Sequence, residues 1–81
     1  MNTRLAQYKL ILNNDNVNSY QKVWVALMVL LQKNCDESKQ NTMETHNDGK
    51  TILGKYHLEL AEHYASKLKS IGLNVSIEKG E

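Results

Sequence analysis

Val23-Trp24-Val25-Ala26-Leu27-Met28-Val29-Leu30-Leu31 is an unbroken apolar run in a chain of 81 residues. Crossing a bilayer takes roughly 20 such residues, so the run is too short to span one. It reads instead as most of a helix, with Val23, Ala26, Leu27, Leu30 and Leu31 on one face at helical spacing. That face feeds a core. Val25, Met28 and Val29 project from the opposite side, so either neighbouring elements sandwich the helix or an apolar patch is left exposed for a partner.

The rest of the chain falls into short elements around this helix. Tyr8-Lys9-Leu10-Ile11-Leu12 reads as a strand with Tyr8, Leu10 and Leu12 on one face. Asn13-Asn14-Asp15-Asn16 stops it, because short amide and acid side chains compete for backbone hydrogen bonds. The first helix is expected from about Ser19 or Tyr20 to Lys33. A second follows the polar break at Asn34, from Asp36 to His46, and Asn47-Asp48-Gly49 ends it. Lys50 to Tyr56 reads as a strand interrupted by Gly54. A third helix runs from Leu58 to Ile71 and Gly72 ends it. Leu73, Val75 and Ile77 then alternate with polar residues in a last strand. The order βααβαβ predicts an α+β fold: one small domain, a three-stranded antiparallel sheet covered on one face by three helices. Residues 1–7 are read as a short tail and 8–79 as the core domain, with no internal repeat.

Several function classes are disfavoured at this point. The net charge is +1 and no basic block occurs, which speaks against nucleic acid as a partner. The single cysteine allows no internal disulfide and fits a reducing compartment. The N-terminus carries no apolar signal core. A soluble, cytoplasmic protein with no membrane partner is expected. His57 and His63 are not at helical neighbour spacing and Cys35 has no nearby ligand, so no metal and no cofactor are expected.

Two groups of residues carry chemistry. Asn14, Asp15, Asn16 and Asn18 gather oxygen acceptors at a strand exit, which suits a hydrogen-bonding cation such as a protonated amine, or simply a turn. His46 stands at a helix end before a glycine turn, as a site residue or as a cap on the helix dipole. A Cys35–His46–Asp15 hydrolytic arrangement is conceivable, but no nucleophile motif surrounds Cys35, and a non-enzymatic protein is the preferred reading.

Taken in register, these segments resemble the ClpS family. Tyr8-Lys9-Leu10-Ile11-Leu12-Asn13-Asn14-Asp15 is similar to its strand ending in Asn-Asp-Asp. Thr45-His46-Asn47-Asp48-Gly49-Lys50 is similar to its His-x-x-Gly-Lys segment, at the family's spacing. Leu60-Ala61-Glu62 resembles the next helix. Val17-Asn18-Ser19-Tyr20 and Gly72 to Glu78 resemble the short Bacteroidetes-type branch. The resemblance implies an adaptor for N-degrons, substrates that begin with Leu, Phe, Tyr or Trp, delivered to a Clp AAA+ unfoldase (ClpA or ClpC) through its N-terminal domain. It places Asn14, Asp15 and His46 on the substrate's α-ammonium group. Leu12, Asn18, Tyr20, Val23, Thr42 and Thr45 would wall the side-chain pocket, and Glu59, Glu62 and Tyr64 would form the docking surface on the third helix. The alternative within the family is a regulator that binds a Clp N-terminal domain without delivering substrate.

Physical chemistry suits that task. An ammonium offers three donors, which amide, carboxylate and neutral imidazole acceptors can satisfy. Hydrogen bonds to a charged group contribute about 1.5–3 kcal/mol each, and burying a Leu or Phe side chain adds about 1.5–3 kcal/mol. Together they offset the association cost at roughly micromolar affinity. Imidazolium cannot accept a bond from ammonium, so binding is expected to weaken from pH 8 to pH 5, the range in which histidines change charge. The chain also departs from the family pattern. Asn16 replaces the second acid of Asn-Asp-Asp. Thr42 and Thr45 are more polar than usual, Tyr20 stands at a gatekeeping position, and Tyr64 replaces a basic residue. The few residues ahead of the first strand put delivery in question.

Overall fold

The computed structural model describes residues 7–15 and 17–80; most of the tail assigned to 1–7, and Asn16, lie outside the described residues. Six elements follow one another: β1 (Tyr8–Asn13), α1 (Tyr20–Leu30), α2 (Cys35–Asp48), β2 (Lys50–Tyr56), α3 (Leu58–Ser70) and β3 (Asn74–Lys79). They form the expected α+β arrangement. The sheet order is β2-β1-β3, with both neighbours antiparallel to β1.

The central place of β1 follows from its composition. Leu10 and Leu12 are fully covered, and they meet Val23, Ala26 and Leu27 of α1, Ala65 and Leu68 of α3, and Val75 of β3 in one core. Ile11 points to the opposite face, as strand alternation demands. It pairs there with Ile52 and Ser76.

Gly54 does not interrupt β2. The strand runs through it, and the extra residue is absorbed as a bulge, because the register with β1 slips between Leu10 and Ile11. The Tyr56 ring folds over Gly54: a Cβ there would lie 2.5 Å from the Tyr56 hydroxyl.

Side chains cap the starts of α1 and α2, and backbone conformation sets their ends. Ser19 caps α1 by accepting from the Lys22 N–H, and Asn34 caps α2 by accepting from the Glu37 N–H. α1 stops at Leu30 rather than Lys33, because Gln32 takes a left-handed conformation with φ of 56°. Gly49 closes α2 at φ of 91°, a conformation that glycine adopts without steric cost.

The apolar run of α1 is not sandwiched. Val25 and Val29 are 50% and 66% exposed, and Met28 also reaches the surface. No helix among the described residues is long and apolar enough to cross a membrane.

Polar groups fasten α2 to β2. The Thr51 hydroxyl donates to a carboxylate oxygen of Glu44, whose second oxygen accepts from Gln40. The Asn41 amide donates to Thr51 Oγ1 at 3.1 Å and to the Ile52 carbonyl at 3.4 Å. The Thr51 bond first, and then the Gln40 bond, hold the Glu44 carboxyl below its usual range.

Candidate functional site

The strand exit and the end of α2 are tied together by main chain. The Asn14 N–H donates to the Gly49 carbonyl at 2.9 Å, while the Gly49 N–H donates to the Thr45 carbonyl at 3.0 Å. This pairing brings Asn14 and His46 to the rim of one hollow. Its lining is Asn14, Asn18, Ser19, Tyr20, Val23, Thr42, Thr45 and His46. Among the described residues, neither the Asn14 carboxamide nor the His46 ring makes a hydrogen bond of its own. Both are exposed.

Seven of the nine residues expected around the amine and the first side chain thus converge: Asn14, His46, Asn18, Tyr20, Val23, Thr42 and Thr45. The other two are placed differently. Leu12 is 1% exposed and lies in the core, away from the lining. Asp15 turns its carboxylate onto its own loop. Oδ1 accepts from the Val17 and Asn18 N–H groups and Oδ2 from the Asn18 amide, each at 2.9 Å. The backbone bonds from Asn18 and then Val17 hold its carboxyl below the usual range, helped by Asn18's side chain and by Lys22. Asn18 is also tied to the far end of α3, donating to the Gly72 carbonyl at 2.9 Å. Asp15 therefore shapes the loop first and adds negative charge near the rim second.

Ser19 was not anticipated as a lining residue. Its place just ahead of an apolar helical run was the available signal, since a residue that caps α1 necessarily stands where α1 meets the loop.

The hollow is narrow. About 30 Å³ is open inside it, enough for a water molecule or two but not for a leucine side chain. Tyr20 borders it and is held edge-on between Trp24, at 6.3 Å, and His46, at 6.0 Å between ring centres. It is 37% exposed.

Two other expectations concern α2 and α3. Cys35 opens α2 as an exposed thiol, and His46 lies eleven residues on along the same helix. The helical rise separates them by roughly 16 Å, far beyond the contact a nucleophile and base require. On α3, Glu59 and Glu62 are exposed one turn apart. Tyr64 is part-buried, with its ring 5.1 Å from that of Tyr56 and packed against the core, so it does not share their face.

Acidification tests the loop and the α2 fastening. Asp15 and Glu44 both bind protons less readily when folded than when unfolded. Their contribution is complete above the ordinary carboxylate range and disappears as pH falls through the depressed folded values, below about pH 4. Thermal unfolding followed from pH 7 downward should show a loss in that window. Asp15→Asn and Glu44→Gln should flatten it. An unchanged slope in both variants would remove this assignment.

A three-stranded sheet backed by three helices defines a small α+β domain, with the Asn14 and His46 side chains unengaged, among the described residues, at the rim of its hollow. The family model described as ATP-dependent Clp protease adaptor protein ClpS matches residues 3–76. The chain belongs to the ClpS family, whose members are adaptors of the Clp protease rather than catalysts. It is 40% identical over 76 residues to the ClpS adapter of Prochlorococcus marinus, covering 93% of this chain and 72% of that one. With the ClpS adapter of a Synechococcus strain it shares 37% over 76 residues, covering 93% and 73%. Agrobacterium tumefaciens ClpS2, solved bound to L-phenylalaninamide, has the same fold. Its TM-score is 0.90 at 23% identity, over 95% of this chain and 100% of that one.

Proposed function

We propose that this adaptor holds polypeptides by a free N-terminal α-amine together with a bulky hydrophobic first residue, Leu, Phe, Tyr or Trp, and passes them to a Clp AAA+ unfoldase such as ClpA or ClpC. The observation that carries this reading is the convergence of Asn14 and His46, both without partners of their own among the described residues, above a hollow walled by Tyr20, Val23, Thr42 and Thr45. The ligand of the Agrobacterium protein supports it, since L-phenylalaninamide joins an α-amine to a benzyl side chain.

The two halves of the site impose a double requirement. The Asn14 carbonyl and the neutral His46 ring accept from the ammonium, and Asp15 lowers the local potential. The side chain displaces solvent from the hollow and covers apolar wall. A blocked terminus leaves the acceptors unpaired, and a small first residue leaves the hollow unfilled, so each alone binds poorly. Glu59 and Glu62 are the proposed contact with the unfoldase N-terminal domain, without Tyr64.

A panel of fluorescent peptides tests the reading. Peptides beginning with Leu, Phe, Tyr or Trp should bind at roughly micromolar concentration. Their N-acetylated forms, and peptides beginning with Gly, should bind at least about tenfold more weakly. Equal binding of free and acetylated peptides would refute it. Accelerated degradation of a reporter with the same first residue, in the presence of unfoldase and peptidase, separates delivery from binding alone.

A further inference from the structure

We propose, on the reading of the hollow given above, that Thr45 selects the first residue by a hydrogen bond, so that tyrosine is held more tightly than phenylalanine. Thr45 and Thr42 stand one turn apart on α2 and both line the hollow, yet their hydroxyls are in different states. Thr42 is 3% exposed and its hydroxyl donates to the Ser38 carbonyl at 2.7 Å, the usual resort of a threonine inside a helix. Thr45 is 5% exposed, and its Oγ1 is shut off from solvent with no hydrogen-bond partner among the described residues.

A buried hydroxyl without a partner is costly, whereas a valine of the same shape at this position would carry no such penalty. Neither Val23, which has no polar side-chain atom, nor Thr42, whose hydroxyl donates to the Ser38 carbonyl, pairs with it in this structure. A ligand that brings its own polar tip relieves it. The tyrosine hydroxyl both donates and accepts. Phenylalanine and leucine close the hollow with hydrocarbon and leave Thr45 unpaired, and a site with a buried polar group discriminates strongly against such partners.

Peptides identical except for Tyr or Phe at the first position, titrated against the wild-type chain, Thr45→Val and Thr45→Ser, test this. The wild type should prefer the Tyr peptide by roughly fivefold to tenfold, the size of one net hydrogen bond. Thr45→Val should bring the ratio close to one, mainly by tightening the Phe peptide. Thr45→Ser keeps the hydroxyl and should keep the preference. A wild-type ratio near one, or the same ratio in Thr45→Val, overturns the proposal while leaving the proposed function standing. Failure of both free peptides to bind the wild type better than their acetylated forms removes the proposed function and this inference with it.

Discussion

Asn14→Ala should weaken binding of a Phe-starting peptide by roughly tenfold to a hundredfold, and His46→Ala should do the same, with the fold intact. A hydrogen bond to a charged group contributes about 1.5–3 kcal/mol, and each 1.4 kcal/mol is a factor of ten. Both side chains are exposed and neither has a hydrogen bond to lose within the described residues. What positions Asn14 is its backbone N–H on the Gly49 carbonyl, which alanine retains. Unfolding free energy should therefore change by less than about 1 kcal/mol. With both side chains proposed to serve one ammonium group, the double variant should lose less than the sum of the singles. Fluorescence anisotropy with free and acetylated peptides measures this, and the acetylated form should be indifferent to both substitutions. Loss of stability in step with loss of binding would reassign the two residues to the fold.

Leu12→Ala should do the reverse. Its family resemblance placed Leu12 in the pocket wall, yet the side chain is 1% exposed and sits in the core with Leu10, Leu27, Leu68 and Val75. Truncating a buried leucine costs about 2–5 kcal/mol, the lost burial plus the cavity left behind. A domain of this size has roughly 4–12 kcal/mol in total, so the variant should be near the edge of folding at physiological temperature. Chemical denaturation should show a lowered midpoint at similar slope. At low temperature, the fraction still folded should bind peptide close to the wild-type level. Weak binding at undiminished stability would return Leu12 to the pocket.

The elements built on apolar periodicity were legible: β1 from Tyr8, Leu10 and Leu12, α1 from Val23, Ala26 and Leu27, and β3 from Leu73, Val75 and Ile77. The second helix, α2, was legible only at its ends, from Asn34 and Gly49, because its interior inverts the usual pattern. Ser38, Asn41, Thr42 and Thr45 are its buried residues, while Met43, its one large apolar residue after Cys35, is 43% exposed. That inversion has a physical cause. One part of the inner face hydrogen-bonds to β2 through Asn41, and another lines the hollow through Thr42 and Thr45. Local rules of this kind fail most often at functional surfaces.

The limits of sequence reading follow the same lines. Asn14 and His46 are far apart along the chain, and spacing alone left both a plain turn and a helix cap open. The Asn14–Gly49 backbone bond, next to the Asn13–Lys50 pair of the sheet, joins the strand exit to the helix end. Asp15 looked like a free acceptor, but whether a carboxylate points at a ligand or at its own loop depends on dihedral angles that composition does not encode. Tyr20 was legible as a gatekeeping position, but its edge-on packing against His46 and Trp24 was not, since it depends on how α1 crosses α2. Tyr64 was assigned to a docking face by alignment with a basic residue, whereas its aromatic ring packs against Tyr56.

Amide NMR titration with one Phe-starting peptide, free and then N-acetylated, probes most directly whether amine and side chain share a single seat. The free peptide should shift the resonances of Asn14, Asn18, Tyr20, Thr42, Thr45 and His46 together at one midpoint, and the acetylated peptide should leave them nearly unmoved. Shifts that appear equally with both peptides, or that gather on a different face while these six stay still, would contradict it.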